Sequence, residues 1–396
     1  MRIAVFTNAY RPAISGVVTS IALFREGLRA VGHETHIFAP EYAGYQDDEP
    51  YVFRLPSLDL SDQLNVSIVL PLKNLIDLTM RGVRPALIHS QHPVWMGDLA
   101  ATFARDLNLP LIFTFHTQYE QYAKVYSPIA GKIAGRLTEE RIRRYLNRCT
   151  HVIAPTETVR SMLASTFERE ERVTVIPTPV DLEQFQSAPA GEVRQRYGLQ
   201  EKELLLFVGR IAKEKGLELL LNAFADVHRQ RSQTHLMLVG TGPYDDQAQL
   251  LVRQLGVVAN VTFTGAIPHD RIPAYYRDAD LFVFSSTTET QGLVLIESMA
   301  AGTPVVAVEA PGASDVVGGG GKLTQPNPRD LARGILEVLS ETGAIERLAR
   351  EAIAIARGYS VQSATDRMVS VYEQVLAAGP RGIDPADEPK VLGRYS

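Results

Sequence analysis

Two glutamates, Glu289 and Glu297, stand on either side of Gly292 in the stretch "SSTTETQGLVLIESMAAGTPVVA", which runs from Ser285 to Ala307. Carboxylates are good ligands for carbohydrate hydroxyls, and the free N–H groups at a helix start are good ligands for phosphate. Here "LFVFSS" reads as a strand, "TTETQG" as a loop and "LVLIESMAAG" as a helix. Glu289 therefore falls in the loop and Glu297 on the helix, with the amides around Gly292 at its N-terminus. A polar turn and a solvated helix face are the plain alternatives for the two carboxylates.

A second chemical signal follows the run "LLLFVGR", where "IAKEKGLELL" brings Arg210 and Lys215 to the start of another helix. Two cations at a helix start can clamp a diphosphate, because Arg chelates oxygens bidentately and the helix adds backbone donors. A solvated basic loop is the alternative, and the position directly after a strand favours the clamp. "VGTGPY", Val239 to Tyr244, offers at Gly240 a close backbone approach where a ring can rest; it lacks the GxGxxG spacing of a nicotinamide dinucleotide site. In "GGGGK", Gly318 to Lys322, Leu323 stands where a P-loop needs Ser or Thr and Val316 where it needs its first glycine, so the stretch reads as a turn. "DAD", Asp278 to Asp280, reads better as a helix end running into a strand than as a metal ligand pair. No essential metal is expected.

These residues need strands to present them. "RIAVFTN", "THIFAP", "ALIHS", "LIFTFH", "HVIAP" and "VTVIP" are strand-like and separated by helical patterns, and the alternation restarts with "LLLFVGR", "THLMLVG", "NVTFTG", "DLFVFSS" and "TPVVAV". Continuous apolar runs between helices mean parallel sheets covered on both faces. The expected class is α/β, with two Rossmann-like, doubly wound domains in tandem, facing across a cleft. Ligands of such sheets sit beyond the carboxyl ends of the strands. The stiff connector "IPTPVDLEQF" places the boundary near Pro179: an N-terminal domain at 1–178, a C-terminal domain at 179–378 and a flexible tail at 379–396. The last helix, about 360–378, is placed to pack back on the first domain.

Composition narrows the class. Net charge is −5 over 396 residues; residues 1–180 carry 19 basic and 18 acidic side chains, residues 181–396 carry 21 and 27. That balance argues against a nucleic-acid partner. Cys149 is the only cysteine, so it forms no disulfide within the chain and fits a buried thiol in a reducing compartment. No apolar run approaches the roughly 20 residues of a spanning helix, and the N-terminus reads as a strand, so a cytoplasmic protein is expected. The segment from Gln121 to Arg148 holds seven Lys or Arg against two acids.

Glu289 and Glu297, spaced E-x7-E, together with Arg210 and Lys215, resemble the signature of retaining GT-B-fold glycosyltransferases of family 4, and the resemblance covers nearly the whole chain. It implies that Glu297 binds the ribose of a nucleotide sugar and Glu289 the donor sugar. Arg210 and Lys215 would hold the diphosphate with the amides of Thr290, Gln291, Gly292 and Leu293, and no cofactor or metal would be needed. It implies also that Gly16, in a loop after the first strand, approaches the diphosphate, with Ser15 where many members have another glycine. His116, in "FTFHTQYEQY", would contact the donor sugar near its reactive carbon; a histidine after a strand is otherwise a structural one. Transfer of a hexose with retention follows, by front-face attack in which the leaving phosphate takes the acceptor proton, with closure of the domains over the donor.

Three details, "ISGVVTS", "FHTQYEQY" and "TETQG", with Gln291 where an aromatic residue is usual, resemble the bacterial diacylglycerol glucosyltransferases. They imply UDP-glucose as donor, a lipid acceptor, and a place at the inner face of the cell membrane. Tyr119, Tyr122, Lys124, Lys132, Arg136, Arg141, Arg143 and Arg144 would meet acceptor and anionic head groups, supported by Tyr126, Ile129, Ile133, Leu137 and Tyr145, each nearby cation contributing about 1 kcal/mol. An ordinary domain helix with a charged face is the alternative for this segment. Two other functions stay open: a glycosyltransferase with a soluble acceptor, and a nucleotide-sugar-binding protein without turnover, for which His116 and Glu289 would have no catalytic use.

Overall fold

A computed structural model describes residues 1–59, 67–69, 73–116, 131–167 and 172–380, with side chains described for 1–57, 76–116, 138–167 and 172–380. The chain divides into two compact units: Met1–Pro177 joined by the described residues from Val361 on, and Thr178–Ser360.

The first unit is built on β1 (Arg2–Phe6), β2 (Glu34–Pro40), β3 (Val52–Leu55), a short antiparallel ribbon of β4 (Ser57–Asp59) and β5 (Ser67–Val69), then β6 (Leu87–Ser90), β7 (Leu111–Thr114), β8 (His151–Ala154) and β9 (Val173–Val175). Seven of them form one parallel sheet in the order β3-β2-β1-β6-β7-β8-β9. Successive residues of a strand point to opposite faces, and both faces here are covered. Ile3 and Val5 of β1 join a core with Ile21, Leu28, Met368 and Val371, whereas Ala4 and Phe6 join Phe103, Tyr145 and Leu146 on the other side. That is why the strands read as unbroken apolar runs.

The second unit repeats the plan with β10 (Glu203–Val208), β11 (Thr234–Val239), β12 (Val261–Gly265), β13 (Leu281–Phe284), β14 (Val305–Val308) and β15 (Gly321–Thr324), ordered β12-β11-β10-β13-β14-β15. Leu205, Phe207 and Val283 face the helices Leu217–Gln230 and Pro328–Ser340; Leu206, Phe282 and Phe284 face Tyr276, Leu295 and Met299.

Two expectations need correction, and others can be placed. The reading of Gly318 to Lys322 as a turn holds only for Gly318–Gly320; Gly321 and Lys322 open edge strand β15. A Cβ on Gly321 would lie 2.3 Å from the Val305 carbonyl oxygen, so this strand needs a glycine, and a glycine weakens any strand signal. Gly16 is the first residue of the helix Gly16–Ala30, not a loop residue, and Ser15 caps that helix by accepting from the Val18 N–H at 3.3 Å. The last helix, Val361–Ala378, groups with the first unit as its placement anticipated, and the second unit ends at Ser360. Its Thr365 Oγ1 would lie 2.0 Å from a Cβ on Gly27, a contact that keeps helix Gly16–Ala30 against it. Asp278 and Asp280 are committed internally. Asp278 accepts from the N–H groups of Gly191, Val193 and Arg194, and Asp280 from Leu204 N–H and the Arg194 guanidinium. Cys149 is buried. Among the described residues no helix is long and apolar enough to cross a membrane.

Candidate active site

In the second unit the strand order reverses between β10 and β13, the position at which open α/β sheets leave a crevice. Arg210, Lys215, Glu289, Gly292 and Glu297 all follow these two neighbouring strands. The loops that carry them are laced together. Gly209 N–H donates to Val239 O at 3.0 Å, Ile211 N–H to Thr241 O at 3.0 Å and Tyr244 N–H to Ile211 O at 2.9 Å, which joins the loop after β10 to the loop after β11. Gly240, at φ 132°, makes this possible: a Cβ there would lie 2.0 Å from Gly209 O. Arg210 is thereby presented on a rigid turn, exposed and with no ion-pair partner among the described residues.

The turn Lys213–Lys215 is tied to the end of β13. Ser285 Oγ donates to Lys215 O at 2.8 Å and Ser286 Oγ to Glu214 O at 3.2 Å, both serines being buried. Lys215 Nζ then forms an ion pair with Glu289 Oε1, which also accepts from Ser286 Oγ at 3.3 Å. The two side chains keep 20% and 23% of their surface exposed. A pair this wet contributes only about 0–1 kcal/mol, so its consequence is orientation rather than stability. The loop of Glu289 packs on Gly312, where a Cβ would lie 2.8 Å from the Glu289 carbonyl oxygen.

Glu297 lies on the helix Leu293–Ala300, half-buried, and its Oε2 accepts from the Tyr276 hydroxyl at 2.9 Å. Burial raises its pKa above the usual carboxylate range, against the hydrogen bond from Tyr276 and the field of His269, which lower it. Gly292 caps this helix at φ 75°, a left-handed conformation that favours glycine, and the amides from Leu293 onward open the helix. Thr290 and Leu293 flank that turn.

The Gln291 side chain is committed within the chain. Its buried side chain accepts from Thr178 N–H at 2.8 Å and donates to Thr178 O at 2.9 Å. The side chain is a backbone clasp, and the backbone amide stays in the loop read as donor-binding.

In the first unit the reversal falls between β1 and β6, and His116 follows β7, the next strand. His116 Nε2 lies 2.7 Å from Gln91 Oε1, and Gln91 N–H donates to Phe6 O at 2.9 Å, which ties the histidine to the reversal point. His92 Nδ1 accepts from Asn8 N–H at 3.1 Å, and Asn8 Oδ1 accepts from Met96 N–H at 3.1 Å. Burial, with a smaller push from His92 and His89, lowers the His116 pKa to about 3; burial lowers that of His92 to about 4. Both rings are neutral at pH 7.

Gln91, His92, Ser285, Ser286, Gly312 and Tyr276 were missed in the sequence. "SQHP" directly follows "ALIH" and the two serines directly follow "LFVF", so the after-strand rule that selected His116 also reaches them. Tyr276 and Gly312 carry no local signal.

The basic segment is described in part. Tyr119, Tyr122 and Lys124 lie outside the described residues; Lys132 and Arg136 lie on the helix Gly131–Arg148. Arg141 pairs with Asp98 at 2.7 Å and Arg144 with Glu140 at 3.1 Å. Arg143 donates to Thr166 O at 2.7 Å and lies 5.5 Å from the Phe167 ring. Tyr145 is fully buried, with its hydroxyl on Ser90 Oγ and its ring against Phe113. From Arg141 on, the apolar side of this helix lies in the core and Arg141 and Arg144 stay exposed.

Comparison with known proteins gives a consistent outcome. The family described as Glycosyl transferases group 1 matches residues 190–355, and Glycosyltransferase Family 4 matches residues 14–184. An alpha-monoglucosyldiacylglycerol synthase of Streptococcus pneumoniae is 34% identical over 365 residues, covering 86% of this chain and 79% of that protein. A protein of the same description from Acholeplasma laidlawii is 28% identical over 323 residues, covering 77% and 80%. Among solved structures, Anabaena HepE in complex with UDP superposes with a TM-score of 0.74 at 22% identity, covering 94% of this chain and all of that one.

Proposed function

The chain belongs to glycosyltransferase family 4, and from that premise we propose that it moves glucose from UDP-glucose to the hydroxyl of a diacylglycerol, with retention at the anomeric carbon. It is a glycosyltransferase with the GT-B fold; donor, stereochemistry and acceptor are the proposal. The observation that carries it is the Lys215–Glu289 pair held at the strand reversal by Ser285 and Ser286, one group suited to a phosphate and the other to a sugar hydroxyl.

In the reaction the C1–O bond to the diphosphate breaks, a C1–O bond to the acceptor forms, and the acceptor proton passes to a phosphate oxygen of the leaving UDP. Negative charge grows on that diphosphate. Arg210, Lys215 and the amides of Thr290 to Leu293 are preorganised donors that stabilise it, which supports turnover without a metal. Glu297 would take the ribose and Glu289 the glucose. His116, neutral above about pH 4, would act as a hydrogen-bonding group toward the sugar rather than as a titrating acid. Nothing assigns either glutamate as a covalent nucleophile.

The lipid acceptor is supported by the two diacylglycerol-directed relatives. Association with the inner face of the membrane would then rest on Tyr119, Tyr122, Lys124, Lys132 and Arg136. A soluble sugar acceptor is the second reading, favoured by the internal pairing of Arg141, Arg143 and Arg144.

The deciding experiment incubates the full chain with UDP-glucose, UDP-galactose or GDP-mannose against diacylglycerol vesicles or free sugars, with mass-spectrometric detection and NMR of the product linkage. An α-glucosyl lipid formed equally with and without EDTA is the expected result. Product only on free sugars selects the second reading, and a β-linkage overturns retention.

A further inference from the structure

The chain passes between its two units twice, at Pro177–Thr178 and at Ser360–Val361. Just inside the second unit the two passages are paired: Val180 N–H donates to Tyr359 O at 2.9 Å, and Val180 and Ser360 form a parallel bridge. Gln291 grips the same segment two residues earlier. Its side-chain amide takes both the N–H and the C=O of Thr178, as a neighbouring strand would, across 113 residues of sequence. Gln291 is 4% exposed and Thr178 6%. Water does not compete well for such bonds, and breaking them leaves buried groups unpaired.

Gln291 sits two residues after Glu289 and immediately before the Gly292 cap. We propose that Gln291 is a positioning residue that couples the loop Glu289–Leu293 to both passages between the units, so that a nucleotide diphosphate bound at that loop is felt at Val180 and Tyr359. The inference rests on the reading of Glu289–Leu293 as the donor loop.

Amide hydrogen exchange tests it. Pro177 and Pro179 have no amide, so within Pro177–Val180 the exchange reports Thr178 and Val180 alone. Val180 N–H bonds Tyr359 O, not Gln291, and is the reporter. In the native protein UDP should slow exchange both at Thr290–Leu293 and at Val180. In Gln291→Leu, UDP should still bind and protect Thr290–Leu293 but no longer change the Val180 rate, and kcat should fall ~10-fold or more while the donor KM moves less than ~3-fold. Gln291→Glu keeps an acceptor for Thr178 N–H and loses the donor to Thr178 O; it should fall between the two and serves if Gln291→Leu does not fold. Equal UDP protection of Val180 with and without the Gln291 amide overturns the coupling, as does UDP binding to the native protein without protection at Val180. Failure of the native protein to show any UDP protection at Thr290–Leu293 overturns the donor-loop reading itself, a different signal in the same measurement.

Discussion

The Tyr276 hydroxyl donates to Glu297 Oε2 at 2.9 Å, from the helix Ile272–Asp278 to the helix Leu293–Ala300. The bond works against burial, which pushes the Glu297 pKa up. Tyr276→Phe fits the same buried space and removes only the hydroxyl. Donor KM should rise about 10-fold, the equivalent of one hydrogen bond to a charged group. Because the lost bond lets the carboxyl pKa climb further, the defect should widen as pH falls from 8 toward 5. A pH-independent KM, measured by steady-state kinetics, would contradict the role of the carboxylate.

Gly312 makes a steric prediction. A Cβ there meets the Glu289 backbone, which must yield by some tenths of an ångström. Gly312→Ala should lower kcat/KM by ~10-fold or more through misplacement of Glu289, with a small change in Tm. Gly82→Ala, where a Cβ meets nothing within 4 Å, is the control and should leave activity intact.

Glu289→Ala and His116→Ala should each reduce kcat by at least ~100-fold while UDP still binds, as read by isothermal titration. Glu289→Gln should retain part of the sugar contact and release Lys215 from its ion pair. Near-native rates in both alanine variants would remove the two residues from the reaction.

Acid should destabilise the first unit. Burial lowers His89 and His116 to about 3 and His92 to about 4, below the ordinary 6.5. Between those values the unfolded chain binds protons that the folded chain refuses, so stability is lost as pH falls below about 6.5, by up to about 1.4 kcal/mol per pH unit per histidine. Glu297 has the opposite sign: its raised pKa favours the folded state at low pH, and that contribution fades as pH rises. His89 bonds Tyr372 and Thr114 at 2.7 Å each and lies outside the proposed site. Urea titrations of the native chain and His89→Gln at pH 7 and pH 5 should show a smaller loss between the two pH values in the variant.

The doubly wound pattern was legible because each central strand is buried on both faces and so must be apolar throughout, which leaves a signal in consecutive residues. Edge strands β3 and β15 escaped it. "VFRL" carries an arginine and "GKLT" a glycine and a lysine, tolerated because an edge strand is paired on one side only. The same logic separates Glu289, reached from its position after a strand, from Tyr276, whose hydroxyl matters only because helix Ile272–Asp278 packs where it does.

Sequence alone determined the class, the two units and the residue types at the strand ends, since hydrophobic periodicity and loop position are properties of neighbouring residues. Which groups meet was decided only by tertiary structure. Hydrogen bonds are short and directional, so their partners are chosen by packing across many residues: Gln291 meets Thr178, Arg141 meets Asp98 and Arg143 meets Thr166.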